Sequence, residues 1–244
     1  MKSWSLFVMV GMLVAGGAVA AGAQTQGRPS VYRATDPATG AEIRASQTAG
    51  GLVLEVAAPG VTLTRRASGG RIVTVVRAPK DELTLESSRS QMVVSGRAGR
   101  VVVTGAEAAR LREAQALVAA SPAAAEAVRL LGRISLGQMS PLSLTLKATR
   151  ALLLGVMNDP GGREALGEVM EDLRTRPVLT RVALQSSPTD CWNAYVREAI
   201  AAYTEFDDCV RNSSFLGDLA CAIIYDMRAI GAFSWWMSCV ALGG

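Results

Sequence analysis

Four cysteines are the residues whose type and spacing together indicate a defined chemistry. They lie at Cys191, Cys209, Cys221 and Cys239, so the intervals between them are 18, 12 and 18 residues. Thiols can form disulfides, bind zinc as thiolates or attack a substrate as nucleophiles. Because 18 residues make about five turns of α-helix, each outer interval places its two cysteines on one face of one helix.

Metal binding and nucleophilic catalysis by these thiols are both disfavoured. Zinc sites built from cysteines pair ligands that are separated by about two to four residues, far fewer than here. The chain contains no histidine, which excludes Ser-His and Cys-His catalysis and imidazole ligation of a metal. We therefore expect two disulfides and neither a cofactor nor a metal.

The geometry of two helices selects one of the three possible pairings. A Cys191–Cys209 bond would span about 27 Å along a straight helix, whereas a disulfide joins Cα atoms about 4.4–6.8 Å apart. Pairing Cys191 with Cys221 and Cys209 with Cys239 requires parallel helices and a strained segment that returns the chain over the full helix length. The pairs Cys191–Cys239 and Cys209–Cys221 need only a tight turn near residues 211–214, so we predict an antiparallel hairpin closed at both ends.

The same segment contains an internal repeat. Shifted by thirty positions, residues 191–210 match residues 221–240 at seven of twenty positions, which favours duplication of one helix into a pseudo-twofold unit. The alternative is that cysteine and small apolar residues recur on any packed pair of helices. In the predicted register Arg228 lies one turn from both Glu198 and Glu205, so we expect an ion pair with one of these carboxylates.

Residues 1–23 have the pattern of a secretory signal peptide. A single positive charge is followed by an apolar run and by small residues before Gln24. We expect cleavage after Ala23, with an uncleaved membrane anchor as the alternative. The style of the signal is bacterial and predicts a secreted or periplasmic protein, in agreement with disulfides.

Aromatic residues are concentrated in the predicted hairpin. Between the signal peptide and residue 190, Tyr32 is the one aromatic residue. Burial between the two helices is the simplest interpretation of the hairpin aromatics. The adjacent residues Trp235 and Trp236, however, cannot both point at the partner helix. One of them is expected to pack on the rest of the chain, on another protein or at a lipid interface. The predicted interaction surface, for another envelope protein or a lipid interface, consists of Trp192, Phe233, Trp235 and Trp236.

Residues 31–105 have the alternation of short β-strands. Apolar and polar residues alternate at 31–34, 42–46, 52–56, 61–65, 71–76, 82–86, 92–95 and 100–104, with glycine and proline between these runs. Such spacing predicts an antiparallel β domain, as a sandwich, a small barrel or one curled sheet. Each strand supplies only two or three apolar residues, so we expect helices to cover the core.

Residues 106–176 change to helical periodicity and predict four helices. Ser121-Pro122 and Ser140-Pro141 are typical helix starts, because serine caps the first turn and proline needs no backbone partner there. Residues 24–30 are interpreted as a flexible mature N-terminus, 177–190 as a linker and 191–244 as the disulfide-bonded hairpin. The predicted class is α+β.

Charge and motifs give little support for an enzyme or a nucleic-acid-binding protein. No hydrolase elbow, Walker loop, dinucleotide fingerprint or calcium loop is present. Residues 24–189 hold 21 basic and 14 acidic residues, a net charge of +7, without basic runs. Residues 190–244 hold 3 and 7, a net charge of −4, so the hairpin could dock on its own basic body. The oligomeric state is not determined by these patterns.

Two hypotheses of different class follow. The first is an exported, non-enzymatic structural or binding protein whose hairpin is the interaction unit. The second is a secreted precursor whose C-terminal hairpin is released as a membrane-active or antimicrobial peptide. The negative charge of the hairpin disfavours the second, because helices that bind lipid interfaces are usually cationic.

Overall fold

The computed structural model describes residues 30–88, 90–104, 108–136, 141–174, 188–212 and 215–241. The predicted signal peptide (1–23), residues 24–29 and most of the predicted linker (177–190) lie outside the described residues. Within these ranges, eight antiparallel strands precede six helices, and the last two helices carry two disulfides. The predicted α+β class with a disulfide-bonded helical hairpin is confirmed.

The strands form one sheet in chain order. They are β1 (Ser30–Thr35), β2 (Glu42–Thr48), β3 (Gly51–Ala58), β4 (Val61–Ser68), β5 (Arg71–Ala78), β6 (Asp81–Ser88), β7 (Gln91–Gly96) and β8 (Gly99–Thr104). Each pairs antiparallel with the next strand. Of the sandwich, barrel and single-sheet alternatives, the described strands therefore adopt the single sheet.

Glycines fix the strand register at two points. Gly69 and Gly70 form the two-residue turn between β4 and β5 with φ values of 56° and 75°, as a hairpin turn of type I′ requires. Gly51 begins β3 with φ of 117°, and a Cβ added there would lie 2.1 Å from the carbonyl oxygen of Ala67 on β4. A side chain at position 51 would therefore push β3 away from β4.

One face of the sheet is buried and the other is at least partly exposed over most of its area. On β3, Leu52, Leu54 and Val56 are buried, whereas the residues between them are only half-buried. The same alternation on β6 buries Leu83 and Leu85. The hydrophobic core consequently lies between one face of the sheet and the helices.

The helices are α1 (Ala108–Ala119), α2 (Pro122–Arg133), α3 (Pro141–Val156), α4 (Gly161–Arg174), α5 (Pro188–Asn212) and α6 (Phe215–Ala241). α2 starts as predicted, with the Ser121 hydroxyl accepting a hydrogen bond of 3.2 Å from the backbone N–H of Ala124. α5 begins at Pro188, so the last three residues of the predicted linker are helical. Proline suits this first position because it has no backbone N–H to leave unpaired.

The helices cover the buried face in a defined order. α1 contacts β7 and β8, α2 crosses β4 to β6, and α6 reaches β1, β2 and β6. α3 contacts α2, α4 and α6. Val196 of α5 and Phe233 of α6 belong to the same hydrophobic cluster as Leu54 and Leu83 of the sheet. The hairpin is therefore packed into the common core.

Two aspartates from strand connections hold α2 at its two ends. Asp81 accepts hydrogen bonds from the Ser121 hydroxyl (2.5 Å) and from the backbone N–H of Ala123 (3.0 Å) at the start of α2. Asp36, which is fully buried, accepts a bond of 2.7 Å from the backbone N–H of Ser135, just beyond the end of α2. These bonds fix the position of α2 along the sheet.

The same hydrogen bonds lower the pKa of both carboxyls. For Asp81 the hydroxyl of Ser121 has the largest effect on the pKa, followed by the N–H of Ala123. Burial of Asp36 acts to raise its pKa, but the hydrogen bonds from Thr39 and Ser135 together outweigh burial. Both carboxylates are thus favoured as charged acceptors.

A buried ion pair joins the sheet to the hairpin. Arg65 lies in the middle of β4 on the buried face, and its side chain is 1% exposed. Its Nη2 donates to Oδ2 of Asp226 on α6 at 2.5 Å, Nη1 to Oγ1 of Thr149 on α3 at 2.6 Å, and Nε to Oγ1 of Thr74 on β5 at 3.1 Å. Among the described residues, Oδ1 of Asp226 is buried without a hydrogen-bond partner. One guanidinium therefore connects two strands and two helices.

Removal of one partner of this ion pair should strongly destabilise the fold. Asp226→Ala leaves the buried Arg65 without a counter-charge, and we expect the free energy of unfolding to fall by about 3–5 kcal/mol. The double variant Arg65→Met/Asp226→Leu should recover most of this loss, because it removes both charges. Urea denaturation of the oxidised protein measures these differences.

The exposed pair Arg77–Glu82, at 2.7 Å, provides the matched control. Glu82→Ala should lower the free energy of unfolding by less than about 1 kcal/mol, since exposed ion pairs contribute little. An equal effect of Asp226→Ala and Glu82→Ala would contradict the role assigned to the buried pair.

Stability should also decrease in acid through Asp36 and Asp81. Both have a lower pKa in the folded protein than in the unfolded chain. Their stabilising effect is therefore complete above the unfolded value of about 3.9 and is lost as the pH falls through the folded values. Urea unfolding at about pH 6 and about pH 3 measures the loss. Asp36→Asn/Asp81→Asn should lose less stability between these pH values than the wild type.

Glu42→Gln removes an exposed carboxylate from the same sheet and is the control for this experiment. It should keep the acid sensitivity of the wild type. If acidification lowered the stability of the wild type, the control and the double asparagine variant equally, Asp36 and Asp81 would not be the cause of the loss.

Candidate functional site: the disulfide-bonded helical hairpin

The two disulfides join α5 and α6 at both ends of the hairpin. Cys191 pairs with Cys239 and Cys209 pairs with Cys221, with Cα–Cα distances of 5.9 and 5.8 Å. This is the pairing predicted from the helical intervals. The two helices are therefore held antiparallel along their whole length.

The register of the hairpin is also as predicted. Nη1 of Arg228 donates to Oε1 of Glu205 at 2.5 Å, which is one of the two expected ion pairs. Near the closed end, the rings of Tyr203 and Phe206 on α5 lie 6.4 and 5.6 Å from the ring of Tyr225 on α6. Aromatic packing thus fills the space between the helices near the Cys209–Cys221 disulfide.

Positions related by the thirty-residue repeat have similar burial. The equivalent pairs that are buried in both helices include Cys191 and Cys221, Tyr195 and Tyr225, and Ala199 and Ala229. Such matching is expected when two similar helices pack about a pseudo-twofold axis. Duplication of one ancestral helix stays a prediction.

The two helices differ in character at two equivalent positions. Val196 on α5 corresponds to Asp226 on α6, and both are buried, but only the aspartate pairs with Arg65. Glu205 on α5 corresponds to Trp235 on α6, and both are exposed. α6 therefore carries a charged group inward and an indole outward, the reverse of the usual preference.

The predicted interaction surface is only partly accessible. Phe233 is 0% exposed and packs in the core, so its assignment to a surface is corrected: its side of α6 faces the sheet. Trp236 stacks on Phe233 at 5.9 Å and is half-buried, as is Trp192, whose ring lies 5.6 Å from that of Tyr195. Trp235 is 46% exposed. Of the two adjacent tryptophans, Trp235 is therefore the one that points away from the core.

α6 carries most of the exposed apolar surface. The exposed large hydrophobic side chains among the described residues are Val31, Ile224, Trp235 and Val240. Ile224 and Trp235 lie on one side of α6, about 16 Å apart along its axis, with exposed Arg228 and Gly231 between them. We define these four residues, Ile224, Arg228, Gly231 and Trp235, as the α6 outer face.

Oxidation and burial limit the reactivity of the hairpin side chains. The hairpin cysteines are oxidised, and burial is the main cause that raises the pKa of Tyr225, with smaller contributions from Tyr195 and Asp226. Within the described ranges, no cluster of three or more acidic or cysteine side chains could hold a metal ion. No helix in these ranges combines the length and apolarity needed to span a membrane.

Sequence reasoning missed the buried polar network of Arg65, Thr149 and Asp226. Arg65 occupies the inward position of an alternating strand, after Val61 and Leu63. Asp226 interrupts a long apolar stretch of α6. The sequence therefore shows a charged residue at an inward position of β4 and another within an apolar stretch of α6. It does not show that these two residues pair with each other.

The two disulfides should stabilise the fold to different extents. The Cys191–Cys239 bond joins residues 48 apart and the Cys209–Cys221 bond residues 12 apart. Constraint of the unfolded chain predicts losses of about 4 and about 3 kcal/mol when each pair is replaced by alanine. Replacing Cys191 and Cys239 should also raise amide hydrogen exchange more at their end of the hairpin than at the end held by the Cys209–Cys221 bond.

The two double-alanine variants are controls for each other, since each leaves one disulfide intact. Urea unfolding and hydrogen exchange are measured on both without reductant. If loss of the Cys191–Cys239 disulfide instead increased exchange uniformly along α5 and α6, the whole hairpin would depend on that bond. The expectation of local opening would then be wrong.

No protein-family model, curated protein or solved structure matches this chain. Its function must therefore be inferred from its own side chains, above all from those of the hairpin.

Proposed function

We propose that this is an exported, non-enzymatic binding protein whose α6 outer face contacts a protein of the cell envelope. The observation that carries the proposal is the exposed indole of Trp235. Its equivalent on α5 is the exposed Glu205, which pairs with Arg228, so an exposed aromatic residue is not a feature that both helices share at this position. Tryptophan is enriched at the centre of protein interfaces because it buries a large area on binding.

Packing of the hairpin favours a binding unit that stays attached to the body. Phe233 is fully buried against the common core, and the Ser234 hydroxyl donates to Oε1 of Gln47 on β2 at 2.8 Å. Release of residues 191–244 would expose Phe233 and separate Asp226 from Arg65. The alternative of a released membrane-active peptide is therefore less well supported.

Charge favours a protein partner over a lipid surface. Residues 190–244 have a net charge of −4, from 3 basic and 7 acidic residues. An anionic membrane surface would repel such a unit, whereas interfacial helices are usually cationic. The exposed Ile224, Trp235 and paired Arg228 combine apolar area with a charge, a composition typical of protein interfaces.

The proposed location is the periplasm or the medium. The two disulfides are compatible with an oxidising compartment, and the N-terminal sequence predicts export with cleavage after Ala23. Disulfides are rare in the cytosol of most organisms. Both lines support a partner that is also outside the cytosol.

Site-specific crosslinking in the native host tests the proposal. A photoreactive benzoylphenylalanine at position 235 should give discrete crosslinked adducts in the envelope fraction. The same residue at Thr62, on the exposed face of the sheet, is the control and should give none of these adducts. Identical adducts from both positions, or none from position 235, would contradict an interface at α6.

Two exposed glycines provide a matched pair of variants for the same assay. A Cβ added at Gly231 on α6 or at Gly167 on α4 would have no described atom within 4 Å. Leucine at either site should be tolerated, since it favours helix more than glycine does. Gly231→Leu should reduce crosslinking from position 235 because its side chain enters the interface. Gly167→Leu should leave the yield unchanged.

A further inference from the structure

A second candidate site lies at one end of the sheet, away from the residues of the α6 outer face. Three strand connections, at residues 59–60, 79–80 and 97–98, surround a cleft of about 830 Å³ together with the junction between α1 and α2. Clefts of this size are typical of sites for small molecules. We call it the turn-end cleft, lined among others by Lys80, Leu83, Gly96, Arg97 and Leu117.

The floor of the turn-end cleft is apolar. Leu83 is fully buried and Leu117 is half-buried, and both contribute to the lining. A Cβ added at Gly96 would lie 3.2 Å from Cδ2 of Leu117 and 3.4 Å from Cδ1 of Leu83. Both distances are tight for a Cβ, so the absence of a side chain at Gly96 lets Leu83 and Leu117 pack closely against the strand.

The walls of the cleft are fixed by the bonds that hold α2. Asp81 lies in the lining and accepts hydrogen bonds from the Ser121 hydroxyl and the Ala123 N–H. These contacts connect the turn between β5 and β6 to the start of α2. The cleft is therefore formed before a ligand enters, which reduces the entropy lost on binding.

The lining of the cleft holds two cations and two carboxylates, and both carboxylates have partners elsewhere. Its four charged residues are Lys80, Arg97, Asp81 and Glu126. Asp81 is engaged in capping α2, and Oε1 of Glu126 is paired with Nη2 of Arg129 at 2.8 Å. Lys80 and Arg97 are exposed, and within the described part of the chain neither makes an ion pair. An anionic group at the opening would find two cations available.

We propose that the turn-end cleft binds small amphipathic carboxylates. The alkyl part of the ligand lies on Leu117 and the neighbouring apolar lining, and its carboxylate lies between Lys80 and Arg97. This site is separate from the α6 outer face, and its occupation does not require the proposed protein partner.

Backbone NMR with a matched pair of ligands tests this site. Octanoate and 1-octanol have the same chain length but differ in charge, and both are titrated into the ¹⁵N-labelled oxidised protein. Octanoate should shift the amide resonances of Gly60, Lys80 and Arg97 in a saturable manner. 1-Octanol should shift the same amides with an affinity lower by about fivefold or more, which corresponds to about 1 kcal/mol for the missing ion pair.

Three variants separate the roles of charge and space. Lys80→Glu/Arg97→Glu should weaken octanoate binding by at least about tenfold and leave 1-octanol binding unchanged. Ala98→Trp, at an exposed turn of the lining, should weaken the binding of both ligands without disturbing the core. Arg44→Glu, on the exposed face of β2, is the control for charge reversal and should bind both ligands as the wild type does.

Two results would overturn the proposal. One is octanoate-induced shifts that fall outside the three turns, or that survive in Ala98→Trp. The other is equal affinity for octanoate and 1-octanol, which would mean that Lys80 and Arg97 do not select the ligand.

Discussion

The buried ion pair between Arg65 and Asp226 is the interaction on which the rest of the arrangement depends. A guanidinium at the centre of an apolar sheet face requires a counter-charge, because an unpaired buried ion destabilises a protein by several kcal/mol. This requirement places Asp226, and with it α6, against β4. The disulfides then hold α5 against α6. The position of the hairpin on the sheet is consequently set by this ion pair and the hydrogen bond from Ser234 to Gln47, in addition to apolar packing.

The sheet itself contributes a thin core that depends on what covers it. Each strand buries only a few side chains, so the helices supply the second half of the apolar layer. Asp36 and Asp81 fix the ends of α2 over the central strands, and the hairpin covers other parts of the same face. The fold is therefore held in part by hydrogen bonds that charged carboxylates accept, which makes its stability sensitive to acid as well as to loss of the disulfides.

Two features of the structure carry the functional inferences. The hairpin exposes an indole at position 235, whereas the equivalent position of α5 carries the exposed Glu205. The turn end of the sheet carries a cleft with two exposed cations in its lining. The exposed indole suits a protein interface and the cleft suits a small anionic ligand. The two proposed sites lie on one folded unit.

The sequence by itself determined the strands, the helix starts, the disulfide pairing and an ion pair of Arg228 with Glu198 or Glu205, of which the structure has Glu205. These depend on local periodicity and on the short reach of a disulfide, which any antiparallel helix pair must satisfy. Only the tertiary structure decided that Arg65 meets Asp226, 161 residues away, that Asp36 binds Ser135, 99 residues away, and that Trp235 rather than Phe233 is exposed. Periodicity places a residue on a face of its own element. Which faces of distant elements meet is set by the packing of the whole chain.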